Sequence, residues 1–168
     1  MINRIVDIIE KLSDLVGRGI AWLTLAMVLV TCAVVLARYV FSIGSIALQE
    51  SVMYMHGLVF MLGIGFTLKE RGHVRVDVFY ERMSERTKTL VDMAGHLFFL
   101  VPVSVFIFWI SLDYVSFAWK LRESSGQPGG LPGIYLMKTL IPVMAVLLLL
   151  QGIAEILKGI ARLAGLRQ

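Results

Sequence analysis

A single cysteine, Cys32, excludes an internal disulfide and any site built on paired thiolates. Histidine is almost as scarce. His56 falls in the outer part of the second long apolar run, His73 in the loop that follows and His96 at the start of the third, so no two are expected at the matching depth that paired haem ligands need. No zinc spacing is present, so no metal and no cofactor is expected. Charged residues make up 17% of the chain, against about 25% in an ordinary soluble protein. The cations sit between apolar runs and do not cluster on one exposed face, which argues against nucleic acid as a partner. A P-loop needs Gly-Lys-Ser/Thr after its glycines, and the sequence has none. The two halves show no internal repeat, so an inverted-repeat transporter core is not encoded here.

What the chain has is apolar length. Hydrophobic residues reach 58% and the mean hydropathy is +0.81, where soluble domains hold about 45–50% apolar residues. A bilayer is the expected solvent. The 168 residues suit one all-α membrane domain over 1–168, in which four transmembrane helices with short loops use nearly every position.

Residues 2–16 predict an amphipathic helix: Ile2, Ile5, Ile9, Leu12 and Val16 recur at helical spacing, with Asp7, Glu10, Lys11 and Asp14 largely opposite. Its mixed-sign polar face fits either the headgroup region or a packed partner. The first span follows over about 19–41, long enough to cross a hydrocarbon core of about 30 Å. The acids before it and its length argue against a cleaved signal peptide. Within it, Cys32 reads as a buried packing residue. The second span covers about 48–68, closed by Lys69-Glu70-Arg71; the third about 97–119, with Pro102 near its start and Trp109 and Trp119 as an aromatic belt; the fourth about 134–153, where Pro142 is expected to kink the helix.

Orientation follows from the cations. Arg4, Lys11, Arg18, Lys69, Arg71, Arg75, Arg82, Arg86, Lys88, Lys158, Arg162 and Arg167, twelve of the sixteen, fall on one side of this scheme. Only Arg38, Lys120, Arg122 and Lys138 fall on the other. The positive-inside rule then places both termini in the cytoplasm.

Several polar residues need an explanation. A charge at a helix centre costs about 2.5–3.5 kcal/mol on insertion scales, and Arg38, Glu50, Asp113, Glu123 and Lys138 share similar outer depths. Asp113 is too short to snorkel, so a pairing with Arg38 or Lys138 is expected; for the two long cations, snorkelling is the alternative. Two loops are punctuated. Gly72, in the run Arg71 to Asp77, is expected to cap the second span in a left-handed conformation. The run Glu123-Ser124-Ser125-Gly126-Gln127-Pro128-Gly129-Gly130-Leu131-Pro132 sets a specific turn.

Taken together, these residues resemble the small membrane subunit of tripartite ATP-independent periplasmic (TRAP) transporters. The likeness covers nearly the whole chain. It rests on Arg38-Tyr39-Val40-Phe41, Glu50, Gly63, the run Lys69 to Asp77 that includes His73, the turn Gly130-Leu131-Pro132, and Lys138 with Ile141-Pro142. One departure stands out: the family commonly carries a Trp and two adjacent acids before the second span, where this chain reads Ile46-Ala47-Leu48-Gln49-Glu50. The resemblance implies a bacterial inner-membrane protein with no catalytic residues. It would scaffold a large membrane subunit that holds the sodium and substrate sites, in ion-gradient-driven uptake of a small organic acid delivered by a periplasmic solute-binding protein. Membrane lipids are the other expected partner. Two rivals stand beside it: a self-sufficient oligomeric transporter or channel lined by Asp113, Arg38 and His56, and a membrane enzyme using His73 and Asp77.

Overall fold

In the computed structural model, residues 2–74, 78 and 80–165 are described. They form α1 (Ile2–Val40), α2 (Ile46–Lys69), a 3₁₀ turn (Tyr80–Arg82), α3 (Glu85–Gly95), a π-helical turn (His96–Leu100), α4 (Val101–Leu121) and α5 (Ile134–Leu163). No strand occurs among the described residues, and four helical runs are long and apolar enough to cross a membrane: 3–40, 46–69, 85–121 and 134–163. Chain direction alternates, so residues 2–14, 69–74, 80–86 and 158–165 share one end. Most of the described cations lie there, and it is called the basic end below. The opposite end carries the turns 41–45 and 122–133.

Helix α5 is the hub. It packs against α1, α2, α3 and α4, while α1 otherwise leans on α2, so the body is an open row and not a closed ring. Small residues set the crossings, as expected where lipid is as apolar as leucine and close van der Waals approach holds helices together. A Cβ at Gly63 would lie 2.9 Å from Ile20 of α1, one at Gly65 would lie 3.4 Å from the Leu147 carbonyl of α5, and one at Gly152 would overlap Leu100. Gly65→Leu is accordingly expected to push α2 off α5 and cost about 1–3 kcal/mol by overpacking, read as a lower melting temperature in detergent.

The segment 2–16 is not a separate amphipathic helix. It is the first part of a continuous 39-residue helix, about 58 Å long at 1.5 Å per residue. Its apolar stripe is split: Ile9 is buried with Val6, Ser13 and Gly17, and Val16 is half-buried, whereas Ile5 and Leu12 are exposed, as are the flanking Ile8 and Leu15. The physical reason is that Ser13, Glu10 and Asp14 have polar partners on α2 and α5, and these contacts set which face of the helix turns inward. Cys32, expected to be buried, is exposed, since nothing drives an apolar side chain inward where lipid is the solvent.

The third span begins earlier than its apolar residues do. Ser84 caps α3 by accepting from the Thr87 N–H at 3.3 Å. The run then passes through the π turn, closed by the Val101 N–H on the His96 carbonyl. Pro102 explains that turn, since it lacks an N–H and its ring would clash with the carbonyl four residues back, and the wider π geometry relieves the clash. Helix α5 runs without a break through the buried Pro142.

The end of α2 also differs from expectation. Arg71, not Gly72, takes the left-handed conformation, with φ 54. The Gly72 N–H reaches the Thr67 carbonyl at 2.9 Å and the Arg71 N–H reaches Leu68 at 3.1 Å, the paired bonds of a Schellman motif. Placing a β-carbon there costs about 1–2 kcal/mol.

Candidate functional sites at the two ends of the bundle

Polar side chains gather in two layers. Glu50 and Lys69 lie near opposite ends of α2, about 28 Å apart along its axis, which matches a hydrocarbon core of about 30 Å.

At the basic end, one chain of contacts ties α1 to α5. The Ser13 hydroxyl donates to Gln151 Oε1 at 2.9 Å, Gln151 Nε2 donates to Glu155 at 3.1 Å, and Lys158 pairs with Glu155 and, at 2.8 Å, with Glu10. Gln151 is completely buried. A second link joins α1 to α2, where Lys69 Nζ lies 2.5 Å from Asp14. Each buried polar atom in these links has a partner, as a low-dielectric setting demands.

At the opposite end, the turn 124–132 is latched onto α2. Pro128 and Gly129 occupy the centre of a tight turn in which the Gly130 N–H donates to the Gln127 carbonyl at 3.0 Å, and Gly129 has the positive φ of 77 that a type II turn requires. Ser124 and Pro132 pair across it as an isolated bridge. Glu50 then receives the turn with both carboxylate oxygens, one accepting from the Ser125 hydroxyl and the other from the Leu131 N–H at 2.6 Å. Gly130 has to lack a side chain, because a Cβ there would overlap Ser125 and sit 2.8 Å from Glu50 Oε1.

Beside the latch, Lys138 pairs with Glu123 at 2.5 Å and lies 4.1 Å from the Tyr114 ring centroid. Trp119 donates to Thr139 at 2.8 Å and meets Tyr135 edge-on at 4.6 Å. The expected partner of Lys138 was Asp113, and this is corrected: the turn brings Glu123 back over α5, while Asp113 faces outward from α4. Among the described residues Asp113 has no ion pair, and it is exposed between Trp109, Ile110 and Phe117, themselves exposed. Arg38 is exposed at the end of α1, where it helps line a small crevice with Ser45 and Gln49. Glu50, Gly130, Leu131, Pro132 and Lys138 thus converge on one site; Arg38 and Asp113 lie apart from it, and Pro142 is buried within α5.

His73 and His96 also depart from expectation, since both line a cavity of about 70 Å³ with Leu68, Arg71, Asp92 and Glu155. Helix α3 packs on α5, which carries Asp92 and His96 to the side of α5 that holds Glu155. Asp77 lies outside the described residues. Sequence reasoning missed the basic-end network, although Glu10, Asp14, Gln151 and Glu155 were visible as polar residues bordering apolar runs.

The family model described as tripartite ATP-independent periplasmic transporters, DctQ component, matches residues 27–162. No curated protein and no solved structure matches the chain.

Proposed function

This chain belongs to the DctQ family of TRAP transporter components, a family of transporter subunits and not of enzymes, and from that premise we propose that it is a static membrane scaffold for a large transport subunit. The observation that carries the reading is the contrast between its ends and its sides. Both ends are locked by ion pairs and hydrogen bonds, whereas no residue in the most apolar stretch of α1 is buried and few are in α2 and the third helical run. Such a body is rigid and laterally unfinished. It offers wide apolar walls to a neighbour and has no loosely held helix that could open a path.

In this reading the basic end lies in the cytoplasm of a bacterial inner membrane, by the positive-inside rule, and the latched turn faces the periplasm, where a solute-binding protein docks. The large subunit carries sodium and a small organic acid, and this chain anchors it against tilting. Asp113 marks the wall that meets the large subunit, because a carboxylate among exposed aromatic residues at membrane depth calls for a cation from outside the chain. Asp113→Asn is expected to leave the melting temperature of the isolated chain within about 0.5 kcal/mol of unchanged stability, as for any exposed site, while weakening co-purification with the large subunit at least tenfold. The broader test is reconstitution in liposomes. Uptake requires both membrane subunits, and uptake by vesicles holding either subunit alone would overturn the proposal.

A further inference from the structure

Beyond the scaffold role, the basic end holds a site of its own. An open depression of about 600 Å³ is lined by Arg71, Glu85, Arg86, Thr89, Arg162 and Leu163. Its three guanidiniums come from three separate places: the cap of α2, the first turn of α3 and the last turn of α5. They meet because α3 crosses α5 closely at Gly159, where an added Cβ would overlap Met93 and lie 3.6 Å from Thr89.

The carboxylates nearby are already engaged. Glu85 is held by Lys88 at 2.9 Å, Glu155 by Lys158, and Asp14 by Lys69. Among the described residues, none of the three arginines forms an ion pair. Three like charges therefore converge on one depression, in which Glu85, already held by Lys88, is the single carboxylate of the lining. The left-handed backbone of Arg71, which glycine would adopt freely, serves the cap of α2, while its guanidinium makes no ion pair among the described residues and is left for a ligand.

The position identifies the ligand's chemistry. Arg162 lies one turn beyond Lys158 on α5, about 6 Å further from the membrane centre, which is the depth of the headgroup layer. Leu163 lines the depression itself, and Leu90 and Ile160 are exposed about one turn nearer the membrane centre on α3 and α5. Guanidiniums recognise phosphate oxygens in forked pairs, and basic pockets between membrane helices take anionic headgroups. We propose that Arg71, Arg86 and Arg162 bind the phosphate of an anionic phospholipid of the phosphatidylglycerol class.

Native mass spectrometry of the full chain in detergent tests this with three probes: phosphatidylglycerol, phosphatidylethanolamine and inorganic phosphate. Phosphatidylglycerol is expected to bind at least tenfold more tightly than phosphatidylethanolamine, and Arg86→Gln with Arg162→Gln is expected to abolish that preference. Arg71→Gly supplies the control for folding. It is expected to raise the melting temperature, by relieving the left-handed strain, while weakening phosphatidylglycerol binding about tenfold. Equal binding of the two lipids, or an unchanged preference in Arg71→Gly, would overturn the site. Displacement of phosphatidylglycerol by equimolar inorganic phosphate would overturn the lipid as its source.

Discussion

Replacing Lys158 by methionine is expected to lower the unfolding free energy by about 3 kcal/mol, near the lower bound for removing one partner of a buried ion pair. The side chains of Lys158, Glu10 and Glu155 are only 12%, 22% and 13% exposed. Methionine fills the same volume but leaves two carboxylates, one on α1 and one on α5, facing each other across a poorly hydrated gap. Repulsion then acts where attraction held the helices. Gln151 cannot compensate, since its amide nitrogen already donates to Glu155 and its oxygen accepts from Ser13. The double variant Glu10→Gln, Lys158→Met should recover about half the loss, because it removes one of the stranded charges. The measurement is the unfolding midpoint in detergent for the two single variants and the double. Were Lys158→Met to melt with the unaltered chain, the contacts at the basic end would not be what holds α1 on α5.

Glu50→Ala should cost at least as much in stability, about 3–6 kcal/mol for two such bonds, and more in function. A hydrogen bond to a charged group contributes about 1.5–3 kcal/mol, and Glu50 accepts two, from the Ser125 hydroxyl and the Leu131 N–H. The turn keeps its internal bonds, Ser125 N–H to Leu131 at 3.2 Å and Gly130 N–H to Gln127 at 3.0 Å. It should therefore retain its shape while lifting off α2. Expected results are rapid protease cleavage within residues 124–132 and at least a tenfold loss of uptake in the assembled transporter. Gly130→Val should reproduce both effects by a different route, since its side chain would occupy the space of the Ser125 hydroxyl. Uptake that survives in both variants would show that the turn plays no part in transport.

How much of this was legible in the sequence depends on the kind of signal. The four spans were, because apolar length is a one-dimensional property. Glu50 and the glycine-proline turn were also recognisable as a pair of features, though nothing in the sequence said that one receives the other. Facing directions were not legible. Helix α4 is apolar on every side, so periodicity does not say that Ser104 and Ser111 turn inward while Asp113 turns out. That is why the partner of Lys138 was expected on the helix and is found in the turn. The stripe of Ile5, Ile9 and Leu12 misled for a related reason. It marked which positions are apolar, but the face turned inward is the one that carries Ser13 and the acids with partners on α2 and α5. The start of α3 could have been found, since Ser84 with Thr87 three residues on is an ordinary capping pattern.

The pairing of the first helix with the last has a consequence for biogenesis. Glu10 and its partner Lys158 are 148 positions apart in the chain, and at bacterial elongation rates of about 5–20 residues per second the wait between their emergence is roughly 7–30 s. Through that interval the nascent first helix can engage only α2, through Asp14 and Lys69. Insertion machinery or lipid must shelter the remaining acid until α5 emerges, and the arrival of that helix becomes the event that completes the fold.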